Sequence, residues 1–308
     1  MRDDIVRYPV FQVRPSGLLI YERVEWLGSY NGSRKKGLSK QLSTGEEAGE
    51  RNTEFYTGQL TKYAKKRLKR AIELLVASSV YKEATHFKTG KKFKFKVNFI
   101  TLTLPAAQKE ISDKELKSKC LDVWIKRAKR KYGLKSYVWR AERQKNGNIH
   151  FHIMSDCYIR YDKIRDDWNS VLSRYHFIDD FYEQHGHRRP NSTDVHAVSK
   201  IRNLAAYMVK YMSKEEKEGD KIEGKVWDCS VNLKTKDKCE MWLDEEELEM
   251  WNKALEDPET RKIEDDRYTL IGLNSKQFRK YVRGEPRRKY EEFLRRIREG
   301  TSLMENST

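Results

Sequence analysis

Between Tyr137 and Ile153 the chain carries two strand-like runs joined by Lys145-Asn-Gly147, and this stretch restricts the fold more than any other. Asn-Gly between alternating runs marks a β-hairpin, and a three-residue loop with Gly147 in the left-handed conformation adds a bulge. That loop pairs Gln144 with Asn148 and sets the register: Glu142 faces His150, Arg140 faces His152, Ala141 faces Phe151 and Trp139 faces Ile153. A two-residue loop would instead pair Glu142 with Phe151 and Ala141 with His152, mixing polar and apolar side chains on one face. The bulged register is therefore the expected one. Because side chains alternate across a strand, His150 and His152 project to one side, beside Glu142. Two nitrogens and one carboxylate can grip a metal ion and leave positions open for water or a phosphate oxygen. The plainer reading of an isolated His-x-His is a pair of exposed polar residues. His185-Gly-His187, in a polar loop, is read that way.

The rest of the chain supplies the setting. Val10–Val13 and Leu18–Val24 read as strands, followed by a Gly/Ser/Lys-rich loop over 28–50. Phe93, Phe95, Val97 and Phe99 alternate with Lys92, Lys94, Lys96 and Asn98, which predicts one long strand running into Ile100–Leu104 and stopped by Pro105. Ser112-Asp-Lys-Glu115 is a capping box for a helix with Leu116, Cys120, Val123, Trp124 and Ala128 on one face, ended by Gly133. A second helix carries Ile164, Trp168, Val171, Leu172 and Tyr175. A loop over 179–193 then leads to a helix from about Ser199 to Met212. The pattern is α+β: a central antiparallel sheet with helices packed on it, plus N- and C-terminal extensions. Expected divisions are 1–85 (strands, loop and a basic helix), 86–236 (the sheet domain) and 237–308 (a charged helical region).

Charge bears on partners. The 308 residues hold 64 Lys+Arg against 47 Asp+Glu, a formal +17, and 12 of the basic residues fall between Lys62 and Lys96 against Glu73 and Glu83. There Leu60, Tyr63, Ala64, Ala71, Ile72 and Leu75 recur at helical spacing, with Lys62, Lys65, Lys66, Lys69 and Arg70 on the other faces. Such a helix suits an acidic membrane surface or a nucleic acid. The 17 Tyr and 7 Trp interleaved with the charges favour nucleic acid, since those rings stack on unpaired bases. The longest apolar stretches, 17–21 and 74–77, are too short to span a membrane, and the Met1-Arg-Asp-Asp start has no secretory core. Four scattered cysteines, Cys120, Cys157, Cys229 and Cys239, form no C-x-x-C pair and are expected to be reduced thiols. A cytoplasmic protein, in a bacterial host cell, is the expectation.

A second constellation lies on Tyr207-Met-Val-Lys-Tyr-Met-Ser-Lys214. At helical spacing Ile201, Leu204, Ala205, Met208 and Met212 form a core arc, while Asn203, Tyr207, Lys210, Tyr211 and Lys214 share a polar arc. Two phenols flanked by ammonium groups suit an anionic substrate, although tyrosines bordering a core would look the same. An apolar strand ending in Thr101-Leu-Thr103, the strand Ile149-His-Phe-His-Ile153, and a downstream helix with Tyr-x-x-Lys-Tyr together resemble the motif set of the HUH endonucleases. Within them, the chain is similar to two-tyrosine rolling-circle replication initiators of small single-stranded DNA phages and plasmids. The resemblance covers about 93–214.

That resemblance implies an RRM-like palm and a nickase that cuts and rejoins single-stranded origin DNA through a 5′-phosphotyrosine. Mg²⁺ or Mn²⁺ on His150, His152 and Glu142 would polarise the scissile phosphate, and Tyr207 would be the nucleophile. Lys210 would neutralise charge, and Tyr211 could make a second attack. Thr101, Thr103 and Lys214 would contact DNA, together with Lys65, Lys66, Lys69 and Arg70. A host polymerase would extend the free 3′ end. Gly219-Asp-Lys-Ile-Glu-Gly-Lys225 fits G-x-x-x-x-G-K, but Val226 stands where a Mg²⁺-ligating Ser or Thr belongs and no apolar strand precedes it, so no nucleotide cofactor is expected. Strand separation would then fall to a host helicase. A transposase or mobilisation relaxase would use the same chemistry, and a non-catalytic DNA-binding regulator would need the basic helix alone.

Overall fold

The computed structural model describes residues 5–26, 58–86, 89–108, 111–197, 208–210, 212 and 221–300. In chain order the elements are β1 (Ile5–Arg14), β2 (Gly17–Trp26), α1 (Lys62–Ser78), β3 (Lys82–Thr85), β4 (Lys92–Phe95) and β5 (Asn98–Leu102). Next come α2 (Asp113–Glu115), a π turn over Leu116–Leu121, α3 (Asp122–Tyr132), β6 (Tyr137–Arg143), β7 (Ile149–Ser155), α4 (Tyr161–Leu172), α5 (Asp179–His185), β8 (Thr193–Ala197) and β9 (Trp227–Cys229). The chain closes with β10 (Cys239–Met241), α6 (Glu245–Glu256), β11 (Arg261–Asp265), β12 (Tyr268–Gly272), α7 (Ser275–Tyr281) and α8 (Gly284–Glu299). It is an α+β fold whose strands pair antiparallel. It divides into two compact units, 1–55 with 237–293, and 56–236 with 294–308.

In the larger unit a five-stranded sheet runs β8-β5-β7-β6-β9. One face is dry: Ile100, Leu102, Trp139, Ala141, Ile149, Phe151 and Ile153 pack against Leu116, Cys120, Trp124 and Ala128 of the capped helix and Ile164, Trp168 and Val171 of α4. Each such large side chain contributes about 1.5–3 kcal/mol by leaving water. Ser112 caps its helix as the sequence predicts: Glu115 N–H donates to Ser112 Oγ (3.2 Å) and the Glu115 carboxylate accepts from Ser112 N–H (3.2 Å). Gly133 ends α3 in the left-handed conformation. The π turn is not legible from that pattern. By widening the helix it turns Lys117 inward along with Leu116, Cys120 and Leu121, and Lys117 Nζ donates to the carbonyls of Lys225 (2.9 Å) and Glu223. Burial lowers the Lys117 pKa to about 8. The Gly-Lys sequence that imitates a phosphate loop is thus tied down as a strap, with Glu223 N–H donating to Asp113 Oδ2 (3.0 Å).

Several expectations change. The long strand is two, because the chain breaks at Lys96–Val97: β4 pairs with β3, and β5 joins the central sheet. The expected loop over 179–193 contains α5 and leads into β8, and β9 adds the opposite edge. In α1 the buried side includes Leu68 and Leu74, whereas Tyr63, expected in the core, is 43% exposed.

The smaller unit has its own five-stranded sheet, β10-β1-β2-β12-β11. The C-terminal region expected to be helical therefore also supplies three strands. Phe11, Val13, Leu18 and Ile271 are buried on one face, and Phe11 meets Trp251 of α6 edge-on with ring centroids 4.9 Å apart. Gly17 is dictated by close approach, since a Cβ there would sit 1.9 Å from the Ile271 carbonyl oxygen. No helix among the described residues is long and apolar enough to cross a membrane.

Candidate metal centre

The site is built on the β6–β7 hairpin. Gly147 has φ 85°, its N–H donates to the Gln144 carbonyl (2.9 Å), and Gln144 N–H donates to the Asn148 carbonyl (2.8 Å). The bulged register follows: Glu142 pairs with His150, Arg140 with His152, Ala141 with Phe151 and Trp139 with Ile153. Asn148 locks the loop from below, its amide donating to the Ala106 carbonyl (2.9 Å) and accepting from Gln108 N–H (2.9 Å). With Ile149, Phe151 and Ile153 fully buried in the dry core, His150 and His152 must occupy the opposite face.

There the two imidazole centroids are 4.3 Å apart. His150 Nε2 lies 3.5 Å and His152 Nε2 3.4 Å from the same oxygen, Glu142 Oε2. Adjacent ligands on an ion with bonds of about 2.1 Å sit at comparable separations. Glu142, His150 and His152 thus form a group that could hold a metal ion. The donor set fits one in two further respects. Glu142 Oε1 is buried with no hydrogen-bond partner among the described residues. A metal on His152 Nε2 requires the imidazole proton on Nδ1, and Thr101 Oγ1 is 3.1 Å from Nδ1, placed to accept it. Phe99 stacks on the same ring at 5.4 Å.

The electrostatics agree. Burial opposes ionisation of Glu142, but the hydrogen bonds with His150 and His152 and the charge of Arg140 outweigh it and hold the carboxyl well below the usual range. Burial pushes the His152 pKa down against the opposing pull of Glu142, which keeps the imidazole neutral and its lone pair available near pH 7. Arg140 is itself buried, with Nη1 3.1 Å from Glu142 Oε1 and a hydrogen bond to the Met212 carbonyl. That bond ties the helical residues around Met208–Lys210 and Met212 to the metal-ligand face. The sequence register places Arg140 opposite His152, but nothing in it announces this role.

Of the other expected site residues, Lys210 is helical and exposed, and Met208 and Met212 are buried, as their arc predicts. Tyr207, Tyr211 and Lys214 lie outside the described residues. Thr103 is held through its backbone, its N–H donating to the Ser192 carbonyl (2.9 Å) and its carbonyl accepting from Trp168 Nε1 (2.8 Å). Lys65, Lys66, Lys69 and Arg70 are on α1, which neighbours β6 and β9, and Lys69 Nζ is 3.9 Å from Glu73.

Residues 97–216 match a family model of replication-associated proteins of the ORF2 type, a span that includes Glu142, His150, His152 and the whole Tyr207–Lys214 stretch. No curated protein and no solved structure matches the chain.

Proposed function

We propose that this protein initiates DNA replication by nicking one strand of origin DNA and later rejoining it, through a covalent 5′-phosphotyrosine on Tyr207. One observation carries the reading: the hairpin register gathers Glu142, His150 and His152 into a metal-binding group inside the segment that matches replication-associated proteins. Mg²⁺ or Mn²⁺ held by these residues would supply Lewis-acid polarisation of a non-bridging phosphate oxygen.

The chain's own groups do the rest. The Tyr207 phenolate attacks phosphorus, the P–O3′ bond breaks, and the 3′ oxygen leaves as a hydroxyl that can prime synthesis. The ester formed keeps the phosphodiester energy, so a later attack reseals the strand without a nucleotide cofactor. Tyr211, one helical turn on, serves as acceptor for the second cleavage. Lys210 offsets negative charge at the phosphate, and Thr101, Thr103 and Lys214 line the path of the strand. Glu142 and Thr101 keep both imidazoles in orientation. Lys65, Lys66, Lys69 and Arg70 hold phosphates outside the centre, a host helicase exposes the strand, and a host polymerase extends it in the bacterial cytoplasm. The test is to mix the protein with labelled single-stranded origin DNA and Mn²⁺ and look for an SDS-resistant adduct. Tyr207→Phe abolishes it if Tyr207 is the nucleophile, and an adduct that survives in that variant refutes the assignment.

A further inference from the structure

The face that carries His152 and Glu142 continues sideways across the sheet. Arg140 pairs with His152 on one flank and with Trp227 of β9 on the other. Residues paired across antiparallel strands project to the same side. Trp227 thus shares the face of His152 at two strand spacings, roughly 10 Å away. Arg67 of α1 reaches over it: the guanidinium carbon is 5.7 Å from the Trp227 ring centroid and 5.7 Å from that of Tyr63, on the same helix. A cation is therefore held against two aromatic rings, one from the helix and one from the sheet edge.

This group is open to solvent. Tyr63 is 43% exposed, Arg67 is exposed and Trp227 is half-buried. Around it Lys62, Lys66 and Lys69 line the same helix, and the first turn of α1 contains no acidic residue. Aromatic faces and a guanidinium plane set in a positive field suit an unpaired base with its phosphates; in a duplex those base faces are already stacked. An acidic protein would match the charge but would leave the rings without a counterpart.

We propose that Tyr63, Arg67 and Trp227 form a stacking subsite for a nucleotide of single-stranded DNA flanking the one at the metal-ligand face, with Lys62 and Lys66 meeting its phosphates. The placement rests on the nicking function proposed above, but occupancy can be measured without cleavage. The full-length protein is titrated in EDTA with a fluorescent oligothymidylate, with an abasic oligomer of equal length, and with a duplex. The expected results are preference for the oligothymidylate and about tenfold weaker binding of it by Tyr63→Ala or Arg67→Ala, with abasic binding little changed. Part of the tryptophan fluorescence is quenched by the oligothymidylate, and that part is missing in Trp227→Phe.

Wild-type affinity in Tyr63→Ala and Arg67→Ala overturns the subsite, as does an equal loss for thymidylate and abasic oligomers, which would reduce these residues to phosphate contacts. Equal binding of the duplex also overturns it. Because no metal or adduct is involved, stacking without adduct formation supports the subsite and sinks the nicking chemistry, whereas an adduct without stacking does the reverse.

Discussion

His152 is gripped by Thr101 at Nδ1, by Glu142 at Nε2 and by the ring of Phe99. Removing the Thr101 hydroxyl leaves the ring free to choose the wrong tautomer, so Thr101→Val should weaken Mn²⁺ binding about 10–100-fold in a calorimetric titration, and His152→Ala should eliminate it. An unchanged affinity in Thr101→Val would mean that the hydroxyl does not orient the ring. Gly147→Ala forces a Cβ into a left-handed position and should cost about 1 kcal/mol in urea unfolding. At this scale the sequence reveals the ligands, because alternation and one Asn-Gly turn determine which side chains meet. It hides Thr101 as a partner of His152, since that contact depends on the pairing of β5 with β7, between residues 51 positions apart. Tyr63 misleads for a related reason. Helical periodicity identifies an apolar arc but not how far the neighbouring sheet extends beneath it.

Among elements, the β6–β7 hairpin matters most, since its inner face is core and its outer face is the site. Phe151 is fully buried with an edge-on contact to Trp168 at 6.3 Å, and Phe151→Ala should cost about 3–5 kcal/mol in urea unfolding and loosen the metal ligands on either side of it. Thr61 caps α1 by accepting from Ala64 N–H (3.1 Å), and Thr61→Ala should cost only about 1 kcal/mol. A loss as large as that for Phe151 would show that more than the cap depends on Thr61. The elements that escape sequence reading share a cause. β8 is Thr-Asp-Val-His-Ala and β11 is Arg-Lys-Ile-Glu-Asp, polar runs with little alternation. Backbone pairing to β5 and β12 makes them strands, and charge along β11 suits a sheet edge that must not recruit another chain.

For the molecule as a whole, a formal +17 implies binding to DNA driven by counterion release. Affinity for single-stranded DNA should fall log-linearly with salt, by about 10³ or more between 50 and 200 mM if six or more phosphates are contacted. Affinity indifferent to salt would refute the assignment of α1 to phosphate binding. The antiparallel sheet and its covering helices are legible because periodicity reports them. The smaller unit's sheet is not, because its strands come from both ends of the chain and no local signal links them.

That last arrangement governs the order of assembly on the ribosome. The β1–β2 hairpin emerges early, yet the strands that flank it, β10 and β12, are translated more than two hundred residues later. The intervening unit can complete its own sheet meanwhile, so the nascent hairpin is left waiting with both edges unpaired until synthesis nears its end.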